Sequence, residues 1–134
     1  MPGHKDWLIK ATSDLKLARK GMRGDDDTLD GVAFLTHQCI EKALKAYLVF
    51  RRAGIKKTHD LELLVELCAI FDYDFNGIMR DIENVNPYAV YSRYPDDRFF
   101  IDRKEALQAI KCAAKVLTFV TKKIENPDPN LRLF

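Results

Sequence analysis

Three histidines and three cysteines are all that 134 residues offer for metal or thiol chemistry. No HExxH or CxxC pattern groups them, and no glycine-rich phosphate loop or serine or cysteine nucleophile arrangement is present. Cys39, Cys68 and Cys112 are odd in number and widely spaced, each inside an apolar helical pattern. They read as reduced core thiols of a cytoplasmic protein rather than disulfide partners or zinc ligands. Charge breaks every apolar run well before twenty residues, which excludes a membrane-spanning helix. The amino terminus lacks an apolar core of the kind that directs secretion. A strand period is missing as well, since no stretch alternates long enough to build a sheet.

What is present is helical periodicity. A hydrophobic fraction of 47% beside 31% charged residues describes one globular domain, residues 1–134, with a core over about 5–125 and a tail at 126–134. Trp7, Leu8, Ala11, Leu15, Ala18 and Met22 mark a first helix over about 5–22, closed by Gly21 and Gly24. An acidic turn, Asp25 to Asp27, leads into the stretch that organises the chain, Leu29 to Arg52. Its apolar residues recur every three or four positions on more than one side, so it is expected to sit centrally, with a stop at Gly54. Leu61, Leu64, Val65, Cys68 and Phe71 predict a further helix capped by Thr58 or Asp60. Phe75, Ile78, Met79 and Ile82 predict a short one ending near 84–87.

Residues 86–101 carry two prolines and Tyr88, Tyr91 and Tyr94, which predicts an ordered, largely non-helical crossing. Asp102 and Glu105 have capping-box spacing before the last helix, whose face runs from Ala106 to Ile124 and which Pro127 and Pro129 end. Short connections favour antiparallel neighbours. The fold class is therefore all-α, an up-and-down antiparallel four-helix bundle with an additional short helix.

A net charge of +2 does not mark a nucleic-acid binder by itself. Basic residues do gather at Lys16, Arg19, Lys20 and Arg23, and again at Lys45, Arg51, Arg52, Lys56 and Lys57. Solvated helix ends and a local anion or RNA surface both account for this pattern. His37 shares a helix face with Glu41 and Lys45 at four-residue spacing, which lets the carboxylate orient its ring. His59 lies at a helix start beside Lys56 and Lys57, surroundings that disfavour the imidazolium. Arg52 and His59 together have the chemistry of metal-free RNA cleavage, with histidine as base and arginine on the phosphate. Arg93 between Tyr91 and Tyr94 suits a phosphate with bases stacked on the rings, or equally a structural crossing tied to Asp96 or Asp97. Phe99 and Phe100 need cover, which with the broad apolar surface of the central helix predicts a homodimer.

THQCIEKALKAYLVFRRAG (Thr36 to Gly54), KTHDLELL (Lys57 to Leu64) and YSRYPD (Tyr91 to Asp96) occur in the order seen in the HEPN domain, which the chain resembles from about Asp6 to Ile124. The resemblance implies a homodimeric helical bundle encoded beside a minimal nucleotidyltransferase. It also implies either an accessory role with a nucleotide or RNA ligand, or a metal-independent endoribonuclease of toxin–antitoxin type. Active members pair an arginine with a histidine four to six residues later at the dimer cleft. Arg93 matches the arginine of that region, but no histidine follows it here, and Arg52 with His59 has the spacing elsewhere in the fold. The resemblance thus points to a non-catalytic domain, with Arg93, Tyr91, Tyr94, Lys45 and His59 as the implied nucleotide or RNA contacts. His59, Arg52 and His37 are the catalytic candidates of the endoribonuclease alternative. A dimeric scaffold without a small ligand is the third reading; none calls for a metal or a resident cofactor.

Overall fold

The computed structural model describes residues 2–54, 57–91 and 101–127, with 86–91 by their backbone alone. The described residues form five α-helices: α1 (His4–Gly21), α2 (Leu29–Phe50), α3 (Leu61–Phe71), α4 (Met79–Tyr91) and α5 (Arg103–Glu125). No strand occurs among the described residues. A 3₁₀ turn, Asp26–Thr28, leads into α2, and a six-residue 3₁₀ segment, Tyr73–Ile78, leads into α4. The long helices α1, α2, α4 and α5 run up and down, α1 against α2 and α4 against α5.

α2 sits centrally because it is apolar on most sides. Fourteen of its 22 residues are buried, and it packs against α1, α3, α4 and α5. Its contact with α1 is close: a Cβ at Gly21 would stand 2.7 Å from Val32 Cγ2, so this corner requires glycine. Lys42 reaches across to Asp14 at 2.6 Å and ties the two helices at their rim. Asp102 and Glu105 form the expected capping box at the start of α5. Beside it, Arg103 donates to the carbonyl oxygens of Met22 and Gly24, at 2.6 and 3.0 Å, and to Asp26. The start of α5 is thereby pinned to the α1–α2 corner. Ala106, Ala109 and Ala113 are all buried, the small residues that let α5 lie close to its neighbours. Asp81 pairs with Lys115, and Asp72 and Asp74 with Lys123, which sets the α4 region antiparallel to α5. Phe75, fully buried, packs between Tyr47 and Phe119, tilted against the first and edge-to-face with the second at centroid distances of 4.5 and 4.9 Å, and joins three elements.

Two sequence expectations are corrected. α4 does not end at 84–87 but continues to Tyr91, so the crossing is helical over 86–91. Proline removes one amide donor but its φ fits a helix. With Ile78, Ile82 and Val85 anchored in the core, the backbone carries on through Pro87. The second concerns the end of α2. The chain leaves the helix at Arg52 (φ 58), two residues before Gly54 (φ 78). Arg52 N–H donates to Val49 O and Ala53 N–H to Leu48 O, at 3.0 and 2.9 Å, the bond pair of a Schellman stop.

That tight stop turns the chain back along α2. His59, two residues before α3, lies beside Glu41, and Phe71 at its end lies beside Arg51, so α3 runs in the same sense as the second half of α2. The returning segment delivers His59 to the middle of the central helix. Arg93, Tyr94, Phe99 and Phe100 lie outside the described residues.

Candidate functional site

Positions 37, 41 and 45 fall on one face of α2, and all three side chains are buried although two of them are charged. Burying a charge is costly unless it is paired and hydrogen-bonded. Glu41 meets that requirement through both of its oxygens. Oε2 accepts from Lys45 Nζ at 3.0 Å, and Oε1 accepts from His59 Nδ1 at 2.8 Å. Burial alone would raise the Glu41 pKa, but the hydrogen bonds from His59 and Lys45 and the lysine's charge outweigh it, and the carboxyl is held below its ordinary value.

His37 closes the group from below. Its Nε2 lies 3.2 Å from the backbone oxygen of His59, and a carbonyl only accepts, so His37 donates from Nε2. The same nitrogen is 3.8 Å from Glu41 Oε1. The backbone of His59 is therefore held by one buried residue and its ring by another. Downstream, Asp60 caps α3 by accepting from the amides of Glu62 and Leu63, at 3.1 and 3.3 Å, which fixes the turn after His59. On the α1 side, Lys45 Nζ stands 6.0 Å from the centre of the Trp7 ring.

The outcome is an oriented, outward-facing imidazole. His59 holds its Nδ1 hydrogen against Glu41, while its side chain is 72% exposed. Nε2 is then the working atom: a lone pair on the neutral ring, a donor on the imidazolium. A buried carboxylate behind an exposed histidine can serve proton transfer or hold a phosphate oxygen. Lys45 offsets the charge of Glu41, and Lys57, exposed two residues before His59, adds a cation at the surface.

Some of the residues singled out in the sequence come together here and others do not. His37, Lys45 and His59 converge on Glu41. Arg52 does not join them: it is exposed at the end of α2, and Arg51 before it is already ten residues, about 15 Å of helix rise, beyond Glu41. Arg51 is buried, its guanidinium 5.1 Å from the Phe71 ring and 6.0 Å from that of Tyr47, which is a packing role. His59 does lie at the start of α3, but the ionised group it touches is the Glu41 carboxylate and not one of the flanking lysines. Glu41 as the partner of His59 is the contact that the sequence reading missed; i,i+4 spacing tied that carboxylate to His37 instead. The signal was connection length. Eight residues from Arg51 to His59 reach about 26 Å when extended, ample to return past ten helical residues. Tyr91 ends α4, and of the implied ligand contacts Arg93 and Tyr94 lie outside the described residues. Among the described residues no group of three or more His, Cys, Asp or Glu is disposed to hold a metal ion, and no helix is long and apolar enough to cross a membrane.

Comparison with known proteins adds two findings. The profile of the HEPN domain matches residues 4–124. The crystal structure of an archaeal HEPN homologue superposes with a TM-score of 0.74 at 25% sequence identity, covering 92% of this chain and 99% of that one. No curated protein matches the sequence.

Proposed function

This chain belongs to the HEPN family, and from that premise we propose that it is an accessory helical domain that holds a nucleotide or RNA phosphate at His59 and works beside a protein partner. The observation that carries the reading is the 2.8 Å contact from His59 Nδ1 to buried Glu41, which leaves Nε2 facing solvent. An imidazolium held this way donates to a phosphate oxygen from a fixed position, with the exposed Lys57 close by in the chain. Arg93, Tyr91 and Tyr94 are the further contacts that the family resemblance supplies, the arginine for phosphate and the rings for bases. A minimal nucleotidyltransferase is the partner expected on the same ground, and a homodimer the expected assembly.

Isothermal titration with ATP, GTP and a short single-stranded RNA tests the ligand. Binding is expected with at least one of them, weakened tenfold or more in His59→Ala and weakened in Arg93→Ala. Silence with all three overturns the phosphate reading and leaves a scaffold. Unchanged affinity in His59→Ala removes His59 from the site. Sedimentation equilibrium reads the dimer, and co-purification with a co-expressed minimal nucleotidyltransferase reads the partner.

A second reading is favoured by the same dyad. A neutral His59, its Nδ1 hydrogen fixed by Glu41, presents a lone pair suited to taking the proton of a ribose 2′-hydroxyl. Endoribonuclease activity on this basis predicts EDTA-resistant cleavage of single-stranded RNA that vanishes in His59→Ala. Cleavage that persists in that variant comes from another source.

A further inference from the structure

The outer face of α3 is apolar where it meets solvent. Leu61, Leu64, Val65 and Cys68 fill the buried side, and on the opposite side Leu63 and Ile70 are 39% and 76% exposed. These two stand seven residues apart, two helical turns on one line, with half-buried Leu67 beside them. Tyr73, 81% exposed, follows two residues past the end of the helix. Single exposed apolar residues are ordinary, but a contiguous helical stripe of them marks an interaction site.

Charge says what covers it. Residues 58–79 contain five carboxylates and no lysine or arginine, in a chain whose net charge is +2. Asp72 and Asp74 are taken by Lys123, and Asp60 caps α3. Glu62 and Glu66 are left along the stripe, and neither forms an ion pair among the described residues. Pairing this face with its own copy would set Glu62 and Glu66 against like charges, so a second chain docked α3 to α3 is disfavoured. A helix with apolar residues one turn apart and lysine or arginine on its flanks satisfies both the stripe and its rim.

We propose that the outer face of α3 docks a basic amphipathic helix of a protein partner, in the manner of a helix laid on an apolar groove. Leu63, Ile70 and Tyr73 supply the apolar contact, while Glu62 and Glu66 select the cationic flanks. This proposal does not rest on the phosphate reading, and its test uses no nucleotide.

The probe is an 18-residue helical peptide with a leucine stripe flanked by lysines and arginines, compared with a twin carrying glutamate at every basic position. Fluorescence anisotropy against the full chain is expected to show the basic peptide binding at least tenfold tighter, a preference that shrinks with salt. The chain's overall positive charge favours the acidic twin, so a basic preference reports α3 itself. Ile70→Glu should abolish binding, and Glu62→Lys with Glu66→Lys should invert the preference; circular dichroism verifies that both variants remain folded. Equal binding of the twins, no binding of either, or a basic preference that survives the double variant overturns the proposal. So does a dimer that Ile70→Glu converts to monomer, because the occupant would then be a second copy.

Discussion

Replacing Glu41 with glutamine keeps the volume of the side chain and removes its charge, which isolates what that charge does. Lys45 would remain buried with its ammonium unmatched, its side chain only 7% exposed beside a carboxylate only 6% exposed. Solvent screening is therefore slight. Removing one member of such a pair costs about 3–5 kcal/mol. Against a total of roughly 5–15 kcal/mol for a domain, that is a large share. At about 4 °C per kcal/mol for a chain of this length, the midpoint should fall by about 12–20 °C. Thermal unfolding followed by circular dichroism at pH 7 reads the midpoint and urea unfolding the free energy, with Lys45→Met and the Glu41→Gln/Lys45→Met double variant completing a cycle. The double variant leaves no unpaired charge between these two positions and should recover most of the loss. A Glu41→Gln protein within about 1 kcal/mol of the parent, or a double variant no more stable than Glu41→Gln, would refute the pairing argument.

The same carboxyl predicts a pH dependence. Its native pKa lies below the ordinary value of 4.5, so the unfolded chain takes up that proton first as pH falls. Its stabilising contribution is whole above about pH 4.5 and is lost as pH falls through the native value; urea midpoints measured from pH 6 to 3 should drop more steeply for the parent than for Glu41→Gln. Arg52→Gly should stabilise by about 0.5–1 kcal/mol, because glycine adopts the positive φ at this helix stop without the steric cost an arginine carries; a loss of stability in the same urea assay would contradict this. Burial pushes the thiols of Cys39 and Cys112 up to about 12 and raises that of Cys68 as well. A disulfide dye should accordingly react slowly with the native protein and rapidly with three thiols in guanidinium. Phe75→Ala should cost about 3–5 kcal/mol, since it empties a site enclosed by Tyr47 and Phe119.

The helices were legible wherever an apolar face repeats: α1, α2, α3 and α5 lie within a few residues of the spans that Leu15, Ile40, Leu64 and Val116 imply. Legibility failed where a local rule met tertiary packing. Pro87 reads as a stop, yet the core residues just before it hold α4 in register through it. Gly54 reads as the stop of α2, yet the hydrogen bonds of Arg52 and Ala53 close the helix earlier. Local spacing correctly joined His37, Glu41 and Lys45 on one face, because a helix fixes such neighbours. It could not join Glu41 to His59, eighteen positions away, since that contact depends on which way the chain turns after Arg51.

One carboxylate anchors two cations, Lys45 sealed inside and His59 facing out. Selection for soluble expression alone is then enough to keep Glu41, whatever happens to the ligand, so finding a glutamate here in relatives is uninformative about binding. His59 is the opposite case. Its ring is largely in solvent, and without it Glu41 still pairs with Lys45, so drift away from histidine at this position is where abandonment of the ligand would first be recorded.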